Sequence, residues 1–291
     1  MPSLSPAVRG GLYMMSAAAS FTIMTTLIRV VGQDIHPFEI GFFRTLTNLL
    51  LMIPFVCRVG PSVFKTDNHK AYALRGLIGF VFVTSYFSGA AMIPVSDSQA
   101  LIFTSPLFAT LFVVLFLGEK IRARRMVALG VGFVGAMIIL RPGFDAISIG
   151  AALVLVGAMT NGASNAVVKY TTRNDHPDKV VLFLMLYVTP LIAIPTIFVW
   201  KTPTWEQLGL MIGVGFFATL NQRFLSRAFA GADATAVLPY DFIRLPFAAL
   251  IGWLVFLEFP DIWVWLGGAV IFGASIYIAH RESMASRKKF E

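Results

Sequence analysis

The chain of 291 residues is 57% hydrophobic and only 13% charged, with a mean hydropathy of +0.77. A soluble globular domain carries about 25% charged residues, so this composition excludes a soluble domain and indicates an integral membrane protein. The single cysteine, Cys57, excludes an intrachain disulfide. The four histidines show no metal-ligand spacing, so no metal and no other cofactor is expected.

Ten segments are long and apolar enough to cross a bilayer as helices, for which about 20 residues suffice. They are residues 8–31, 38–57, 72–93, 97–117, 124–140, 149–169, 178–200, 206–228, 234–257 and 262–280. Short connections that contain proline separate several of them, as at His36-Pro37 and Phe259-Pro260. The sequence therefore predicts an all-α membrane protein of ten transmembrane helices.

The basic residues test this topology, because Lys and Arg collect in the cytoplasmic loops of membrane proteins. With a cytoplasmic N-terminus and ten alternating spans, 17 of the 23 Lys and Arg fall on the cytoplasmic side and four fall within spans. Only Arg141 and Lys201 fall on the opposite side. The asymmetry predicts that both termini are cytoplasmic. It also accounts for the net charge of +8 through contact with anionic lipid, so no nucleic-acid partner is expected.

The two halves of the chain share several features. His36-Pro37 before the second predicted span matches His176-Pro177 before the seventh, and the stretch from Asp97 to Glu119 has the same plan as Leu238 to Glu258. Five spans per copy is an odd number, so the second copy enters the membrane from the opposite side. Inverted repeats are typical of secondary transporters, whose sites lie near the midplane at the repeat interface. The predicted repeats are residues 1–143 and 144–291.

Three stretches carry a family resemblance: Pro106 with Glu119-Lys120, the segment LPFAALIGWLVFLE at 245–258, and FFR at 42–44. Through them the chain resembles the drug/metabolite transporter superfamily, specifically its EamA-type ten-helix carriers. The resemblance implies a cavity built by spans one, three, four, six, eight and nine, and a gating or structural role for Arg44. It also implies a bacterial inner-membrane location and cargoes such as amino acids, vitamins and nucleotide-like cofactors.

The charged pair Asp241 and Arg244 is the first candidate site, since charges inside a span are expensive and mark functional sites. Three residues apart, the two side chains share a helix face. They offer an acceptor for an ammonium group and a donor for a carboxylate or phosphate. The alternative is a closed salt bridge that meets no cargo. Asp241 is also the candidate proton carrier, against the favoured alternative of permanent ionisation beside Arg244.

Polar residues within other spans are further candidates for substrate binding. Asn161, Asn165 and Lys169 are spaced i, i+4, i+8 on span six, which predicts a polar cavity wall. Gln99 on span four and Asn221 on span eight are added to this set. The alternative for the stripe on span six is interhelical hydrogen bonding, which polar side chains provide in membranes.

Aromatic residues and prolines complete the predicted site. Tyr86, Phe103 and Tyr240 are candidate walls for a flat cargo, although most of the 27 phenylalanines must face lipid or pack helices. Arg223 is expected to snorkel toward the interface rather than face the cavity. The candidate hinges for alternating access, with static bends as the alternative, are Pro106, Pro239 and Pro246.

The chain lacks GxxxxGK[ST], HExxH and GxSxG motifs, which argues against an ATP-hydrolysing subunit and against an enzyme. The predicted function is a secondary active or facilitative transporter that moves an amino acid or amino-acid-like compound by alternating access. The alternatives are a carrier for a cofactor or vitamin such as riboflavin or S-adenosylmethionine and, in another class, a membrane-embedded transferase. The expected partners are a small-molecule substrate, the lipid bilayer and, left open, a second copy in a homodimer.

Overall fold

The computed structural model describes residues 6–105, 107–109, 111–112, 127, 130–131, 133–135, 137–138, 148–171, 174–231 and 244–287. This part of the chain is helical and contains no β-strand. The helices are α1 (Pro6–Val31), α2 (Pro37–Val59), α3 (His69–Met92), α4 (Val95–Ile102), α5 (Ile149–Thr171), α6 (Pro177–Val199), α7 (Trp205–Gly231), α8 (Arg244–Phe256) and α9 (Ile262–Arg287), with a short 3-10 helix at Pro61–Phe64.

Six helices, α1, α2, α3, α5, α6 and α7, are long and apolar enough to cross a membrane. Their bounds agree within a few residues with predicted spans one, two, three, six, seven and eight. Helices α4, α8 and α9 coincide with the described parts of spans four, nine and ten. Most of the span predicted at 124–140 lies outside the described residues. The described structure is therefore an all-helical membrane protein.

The surface has the character of a membrane protein rather than a soluble one. Ile197 and Phe198 are 74% and 84% exposed, whereas Glu39 and Arg75 are fully buried. Large exposed apolar side chains are stable against lipid but not against water. The five tryptophans are each at least 42% exposed and lie near one end of the bundle, as in an interfacial aromatic belt. They are Trp200, Trp205, Trp253, Trp263 and Trp265.

The two ends of the bundle are distinguished by their connections. The α1–α2, α6–α7 and α8–α9 connections lie at the end with the tryptophans, which we call the tryptophan end. The α2–α3 and α5–α6 connections lie at the opposite end, which we call the basic end because of its Lys and Arg residues. Lys179 and Lys65 are in hydrogen-bond contact there, through the Lys179 ammonium and the Lys65 carbonyl.

Helices α2 and α6 begin in the same way. His36 and His176 are their N-caps, with ψ angles of 139° and 140°, and each is followed by a proline at the first helical position. The Nδ1 atom of each histidine accepts a hydrogen bond from the backbone amide two residues later, at 3.2 Å in both cases. A proline is favoured at this position because it lacks the amide that would be unsatisfied. The match predicted between the two His-Pro pairs therefore extends to their local geometry.

Helices from the two halves of the chain pack against each other. Helix α1 lies along α7, and α3 lies along α5. Helix α2 contacts both α6 and α7, while α4 contacts α5 and α8. The main buried apolar cluster contains residues from α1, α2, α3, α4, α5, α6 and α7, so the two halves share this core. The space between the halves is where a central cavity forms.

Candidate functional site

A central cavity of about 60 Å³ lies between the halves of the bundle. A water needs roughly 10–15 Å³ of such space, so the cavity holds a few waters, and a larger molecule requires the helices to separate. Helices α1, α2, α3, α5, α7 and α8, the end of α4 and the segment that follows it all contribute to its wall. The lining residues are Met14, Phe21, Met24, Arg44, Phe82, Ile102, Phe103, Ser105, Asn161, Asn165, Asn221, Gln222, Leu225 and Arg244.

Arg244 is a buried cation in an aromatic part of this wall. Its guanidinium carbon lies 4.5 Å from the ring centroid of Phe21 and 5.6 Å from that of Phe103. Cations are attracted to aromatic ring faces at these distances, and more strongly when both groups are removed from water. The structure therefore places predicted residues Arg244 and Phe103 together and adds Phe21, which the sequence did not single out. The predicted partner Asp241 lies outside the described residues.

Phe103 lies where α4 is interrupted. The regular helix ends at Ile102, and Phe103 and Thr104 form a turn in which the Thr104 amide donates to the Leu101 carbonyl at 3.0 Å. Interrupted helices at membrane depth are tolerated where they line a cavity. The predicted hinge Pro106 lies just beyond this turn and outside the described residues.

Tyr86 and Gln99 form a polar layer behind the aromatic wall. The Thr25 hydroxyl donates to the Phe21 carbonyl at 3.0 Å, so the Tyr86 hydroxyl must donate to Thr25 Oγ1 at 2.9 Å. Gln99 Nε2 donates to the same oxygen at 3.0 Å. Tyr86 also stacks on Phe82, with ring centroids 5.3 Å apart. Both predicted residues are fully buried and absent from the cavity lining, so they support the wall rather than form it.

Asn161 is held in the wall by close packing of α5 on the segment after α4. Its Nδ2 donates to the Ser105 hydroxyl at 3.1 Å. A Cβ atom on the adjacent Gly162 would lie 2.6 Å from the Ser105 carbonyl oxygen, so only glycine permits this approach. Asn165, one turn further along α5, also lines the cavity. The predicted polar stripe therefore faces the cavity at these two residues, and the Lys169 side chain lies outside the described residues.

Asn221 and Gln222 complete the amide groups around the cavity. Asn221 Nδ2 donates to the Ala17 carbonyl at 2.9 Å, which ties α7 to α1. Gln222, which follows it, lines both the central cavity and a smaller space beside it. Asn221, predicted as a substrate contact, is thus partly committed to helix packing.

Arg44 is the second buried cation in the cavity wall and is 4% exposed. Helix α2, which carries Arg44, packs closely on α7 at Gly215. A Cβ atom added there would lie only 2.4 Å from Thr47 Cβ and 3.0 Å from the Arg44 carbonyl oxygen. The guanidinium carbon lies 5.6 Å from the Phe87 ring centroid. The family resemblance implied a gating or structural role, and the structure places this residue at the cavity itself.

The remaining predicted site residues have limited structural description. Tyr240 and Pro239 lie outside the described residues, and Pro246 lies within α8 but its side chain is not among those described. Their roles as aromatic wall and hinges stay predictions.

Charged residues at the two ends of the bundle form ion pairs that the sequence did not reveal. At the tryptophan end, Arg29 donates to both carboxylate oxygens of Glu258. Toward the basic end, Arg223 and Arg227 bind Asp178 at 3.0 and 3.2 Å. Arg223, which was expected to snorkel toward the interface, pairs toward the basic end with this buried carboxylate on α6. The sequence gives no sign of these ion pairs, because the two residues of each pair are 45 to 229 positions apart.

Asp175 joins the two connections at the basic end. Its carboxylate accepts hydrogen bonds from Thr66, Asn68 and Tyr72 at 2.9 to 3.1 Å and pairs with Lys179 at 2.7 Å. Desolvation raises its pKa, but the hydrogen bonds from these four partners outweigh it and lower the pKa to about 2. The carboxylate is therefore ionised at neutral pH and fixes the α2–α3 connection to the α5–α6 connection.

Arg75 is a buried cation near the start of α3. It lies within α3 and is 1% exposed. Its Nη1 donates to the Val180 carbonyl at 2.8 Å, and its Nε donates to the Ser164 hydroxyl at 3.3 Å. The residue is therefore part of the packing between α3, α5 and α6 rather than a lipid-facing charge.

Comparison with known proteins agrees with this architecture. Residues 8–141 match the model of the EamA-like transporter family. A crystal structure of another protein superposes with a TM-score of 0.67 at 16% identity, covering 94% of this chain and 98% of that one. At that identity, the likeness shows the shared fold alone.

Relatives of known name match along nearly the whole chain. A riboflavin transporter of Rhizobium johnstonii is 32% identical, covering 98% of this chain and 95% of the relative. An S-adenosylmethionine uptake transporter of Rickettsia bellii is 30% identical, covering 96% of each chain. A pseudopaline exporter of Pseudomonas aeruginosa is 30% identical, covering 93% and 95%. Together with the helical membrane fold, they show that this chain is a small-metabolite transporter of the EamA-like transporter family, within the drug/metabolite transporter superfamily.

Proposed function

We propose that the chain is an alternating-access carrier of ten spans, made of two inverted repeats at residues 1–143 and 144–291. The matched caps at His36 and His176 support this repeat. The helix contacts support it independently. In the proposed repeat, α1 to α4 correspond to α5 to α8. The contact between α1 and α7 is then equivalent to the contact between α5 and α3. The contact between α2 and α7 is likewise equivalent to the contact between α6 and α3. All of these contacts are present.

The two repeats differ in one contact, which bears on alternating access. Helix α1 packs against α3, through the Thr25–Tyr86 hydrogen bond and the Phe21 and Tyr86 rings at 5.4 Å. The corresponding helices α5 and α7 make no comparable contact within the described residues. In an inverted repeat, equivalent contacts of the two halves lie at opposite ends of the cavity. When the contact is formed in one half and absent from the other, the cavity is closed at one end only. This asymmetry supports a state that is closed toward the tryptophan end.

The basic end is assigned to the cytoplasm, with both termini on that side, in a bacterial inner membrane. Lys65 lies in its α2–α3 connection and Arg58, Lys70 and Lys179 lie at the helix ends there, whereas Lys201 lies at the tryptophan end. The positive-inside rule supports this orientation. The lack of enzymatic activity and the possible homodimer remain predictions.

The proposed cargo is a cofactor-sized metabolite with a flat ring, and riboflavin is the first candidate. The observation that carries this proposal is the contact of Arg244 with Phe21 and with Phe103 in the cavity wall. Aromatic faces suit a flat ring, and a guanidinium donates to ring carbonyl oxygens. The name of the Rhizobium relative points to the same cargo. The amino-acid cargo predicted from Asp241 and Arg244 is the second candidate.

S-adenosylmethionine is a less favoured cargo on electrostatic grounds. The charged residues among the described part of the lining are Arg44 and Arg244, which are both cations. A sulfonium group would be repelled by these cations, whereas riboflavin is neutral and rich in acceptor oxygens. Riboflavin is therefore placed ahead of a cationic cofactor.

Uptake into proteoliposomes tests this proposal with labelled riboflavin, S-adenosylmethionine and a mixture of amino acids. We expect riboflavin uptake by wild-type protein, and a loss of about tenfold or more in Arg244→Gln and in Phe103→Ala, corresponding to the removal of one or two charge-assisted or aromatic contacts. Arg58→Gln is the matched control, because Arg58 is exposed at the basic end. Uptake of an amino acid without riboflavin uptake would support the amino-acid cargo predicted from sequence and contradict riboflavin. Transport of riboflavin that is insensitive to both substitutions would remove Arg244 and Phe103 from the site.

A further inference from the structure

A second space of about 20 Å³ lies beside the central cavity. The two spaces share Arg44, Phe82, Asn161 and Gln222. The second space extends toward Ser164 and is otherwise bounded by apolar residues of α3 and α6. The whole cavity therefore has an aromatic part, at Phe21, Phe103 and Arg244, and a polar part centred on Arg44.

Arg44 contacts the Phe87 ring but has no hydrogen-bond or ion-pair partner among the described residues. Its guanidinium makes no hydrogen bond to any residue that the structure describes, and its Nε is fully shielded from solvent. The other buried arginine of this region, Arg75, donates to Ser164 and Val180. Leaving a buried donor unsatisfied costs about 1–3 kcal/mol, and more when the group is charged. A ligand oxygen that enters the cavity and accepts a hydrogen bond from the Arg44 guanidinium would remove this cost.

The amide groups around Arg44 define which kind of oxygen fits. Asn161 uses its Nδ2 on Ser105, so its carbonyl oxygen remains to accept a hydrogen bond. Asn165 and Gln222, the other two members of this amide wall, each carry both a donor and an acceptor. A carboxylate or phosphate needs donors only and would leave the amide oxygens unused. A chain of hydroxyl groups both donates and accepts, so it matches Arg44 together with the amide wall.

We propose that Arg44, Asn161 and Gln222 bind a polyhydroxylated arm of the cargo, such as a ribityl chain or a ribose. This inference rests on the proposed function in that the flat ring of the same cargo lies at Phe21 and Phe103. Arg44 is then a specificity-determining residue that touches substrate, rather than a gating residue. It selects cargoes that carry hydroxyl groups beside a ring over the ring alone.

Calorimetric binding to purified protein tests the assignment with ligand pairs that differ only in this arm. The first pair is riboflavin and lumichrome, which has the flat ring without the ribityl chain. We expect Arg44→Gln to weaken riboflavin binding about tenfold or more, as for the loss of a charge-assisted hydrogen bond, and lumichrome binding less than twofold. Gln222→Leu, on a different helix, gives the same selective loss and guards against misfolding of one variant. Arg58→Gln changes neither affinity. An equal loss for both ligands would overturn the inference.

A second pair, adenosine and adenine, separates this inference from the proposed cargo. If neither flavin compound binds but wild-type protein prefers adenosine over adenine through Arg44, the riboflavin proposal fails and the hydroxyl site stands. If wild-type protein prefers neither riboflavin over lumichrome nor adenosine over adenine, the hydroxyl site is wrong even where riboflavin uptake has been demonstrated.

Discussion

Arg29 and Glu258 form a bidentate ion pair that joins the two halves of the chain at the tryptophan end. The Nη1–Oε2 and Nη2–Oε1 distances are 2.5 and 2.6 Å. Arg29 also lies over the Phe256 ring, at 4.4 Å from its centroid. Leu257 adopts a left-handed φ of 56°, which is uncommon for a residue with a side chain and turns the chain after α8. The pair therefore connects α1 to the end of α8 on the side of the cavity away from the basic end.

Breaking this ion pair is predicted to impair transport. Glu258→Gln removes the charge and weakens closure at the tryptophan end, so the cavity spends less time closed on that side. We expect a several-fold fall in the proteoliposome uptake rate, since a partly exposed pair contributes about 1 kcal/mol. The charge-swapped double variant Arg29→Glu/Glu258→Arg should recover part of the rate.

Glu206→Gln is the control for this prediction, because Glu206 is an exposed acid at the same end of the bundle. It should leave uptake unchanged. An uptake rate in Glu258→Gln equal to that of wild type would show that the ion pair has no part in closure.

Asp175 is predicted to make stability depend on acid pH. Its pKa is about 2 in the folded protein, against an ordinary value of 3.8, so its ionised form stabilises the fold above pH 3.8. That contribution is lost as the pH falls from about 4 through 2. Asp175→Asn should lower the unfolding temperature of the detergent-solubilised protein by about 2–4 °C at pH 7, the shift expected for roughly 1 kcal/mol.

The difference between wild type and Asp175→Asn should shrink as the pH is lowered from 4 toward 2. Asp67→Asn serves as the control, since Asp67 is an exposed acid in the same connection. A difference that is constant across this pH range would mean that the Asp175 charge does not stabilise the basic end.

Gly215 is predicted to be essential to the position of Arg44. A methyl group there would overlap Thr47, at a Cβ–Cβ distance of 2.4 Å, and would force α7 away from α2. Overpacking of this kind costs about 1–3 kcal/mol. Gly215→Ala should therefore lower the unfolding temperature and reduce uptake.

Gly209, two turns earlier on the same helix, is the matched control, because a Cβ atom there meets nothing within 4 Å. Gly209→Ala should be neutral or slightly stabilising, as alanine favours helices over glycine by about 1 kcal/mol. Equal behaviour of the two variants would contradict the close packing of α2 on α7.

Local patterns predicted much of the architecture. Apolar length alone located α1, α2, α3, α5, α6 and α7 within a few residues. The i, i+4 spacing of Asn161 and Asn165 correctly predicted that both face one side of α5, and both line the cavity. The His-Pro dipeptides predicted matching helix starts, because a proline and its preceding cap residue act within a few positions. These features depend on neighbours in sequence, which is why sequence carries them.

Long-range partners were the part that sequence could not supply. Nothing near Arg29 indicates that its partner is Glu258, and nothing near Arg75 indicates that Val180 and Ser164 accept from it. Tyr86 illustrates the same limit, since a polar aromatic residue on a span fits a cavity wall and a buried support equally well. Its hydrogen bonds with Thr25 and Gln99 identify it as a buried support.

Counterflow of riboflavin in proteoliposomes tests the central claim most directly. Vesicles that contain the protein are loaded with unlabelled riboflavin and diluted into labelled riboflavin at low concentration. An alternating-access carrier exchanges the two, so labelled riboflavin should rise transiently above its equilibrium level inside and then decline. A monotonic approach to equilibrium, or no entry above that of protein-free vesicles, would contradict a riboflavin carrier of this mechanism.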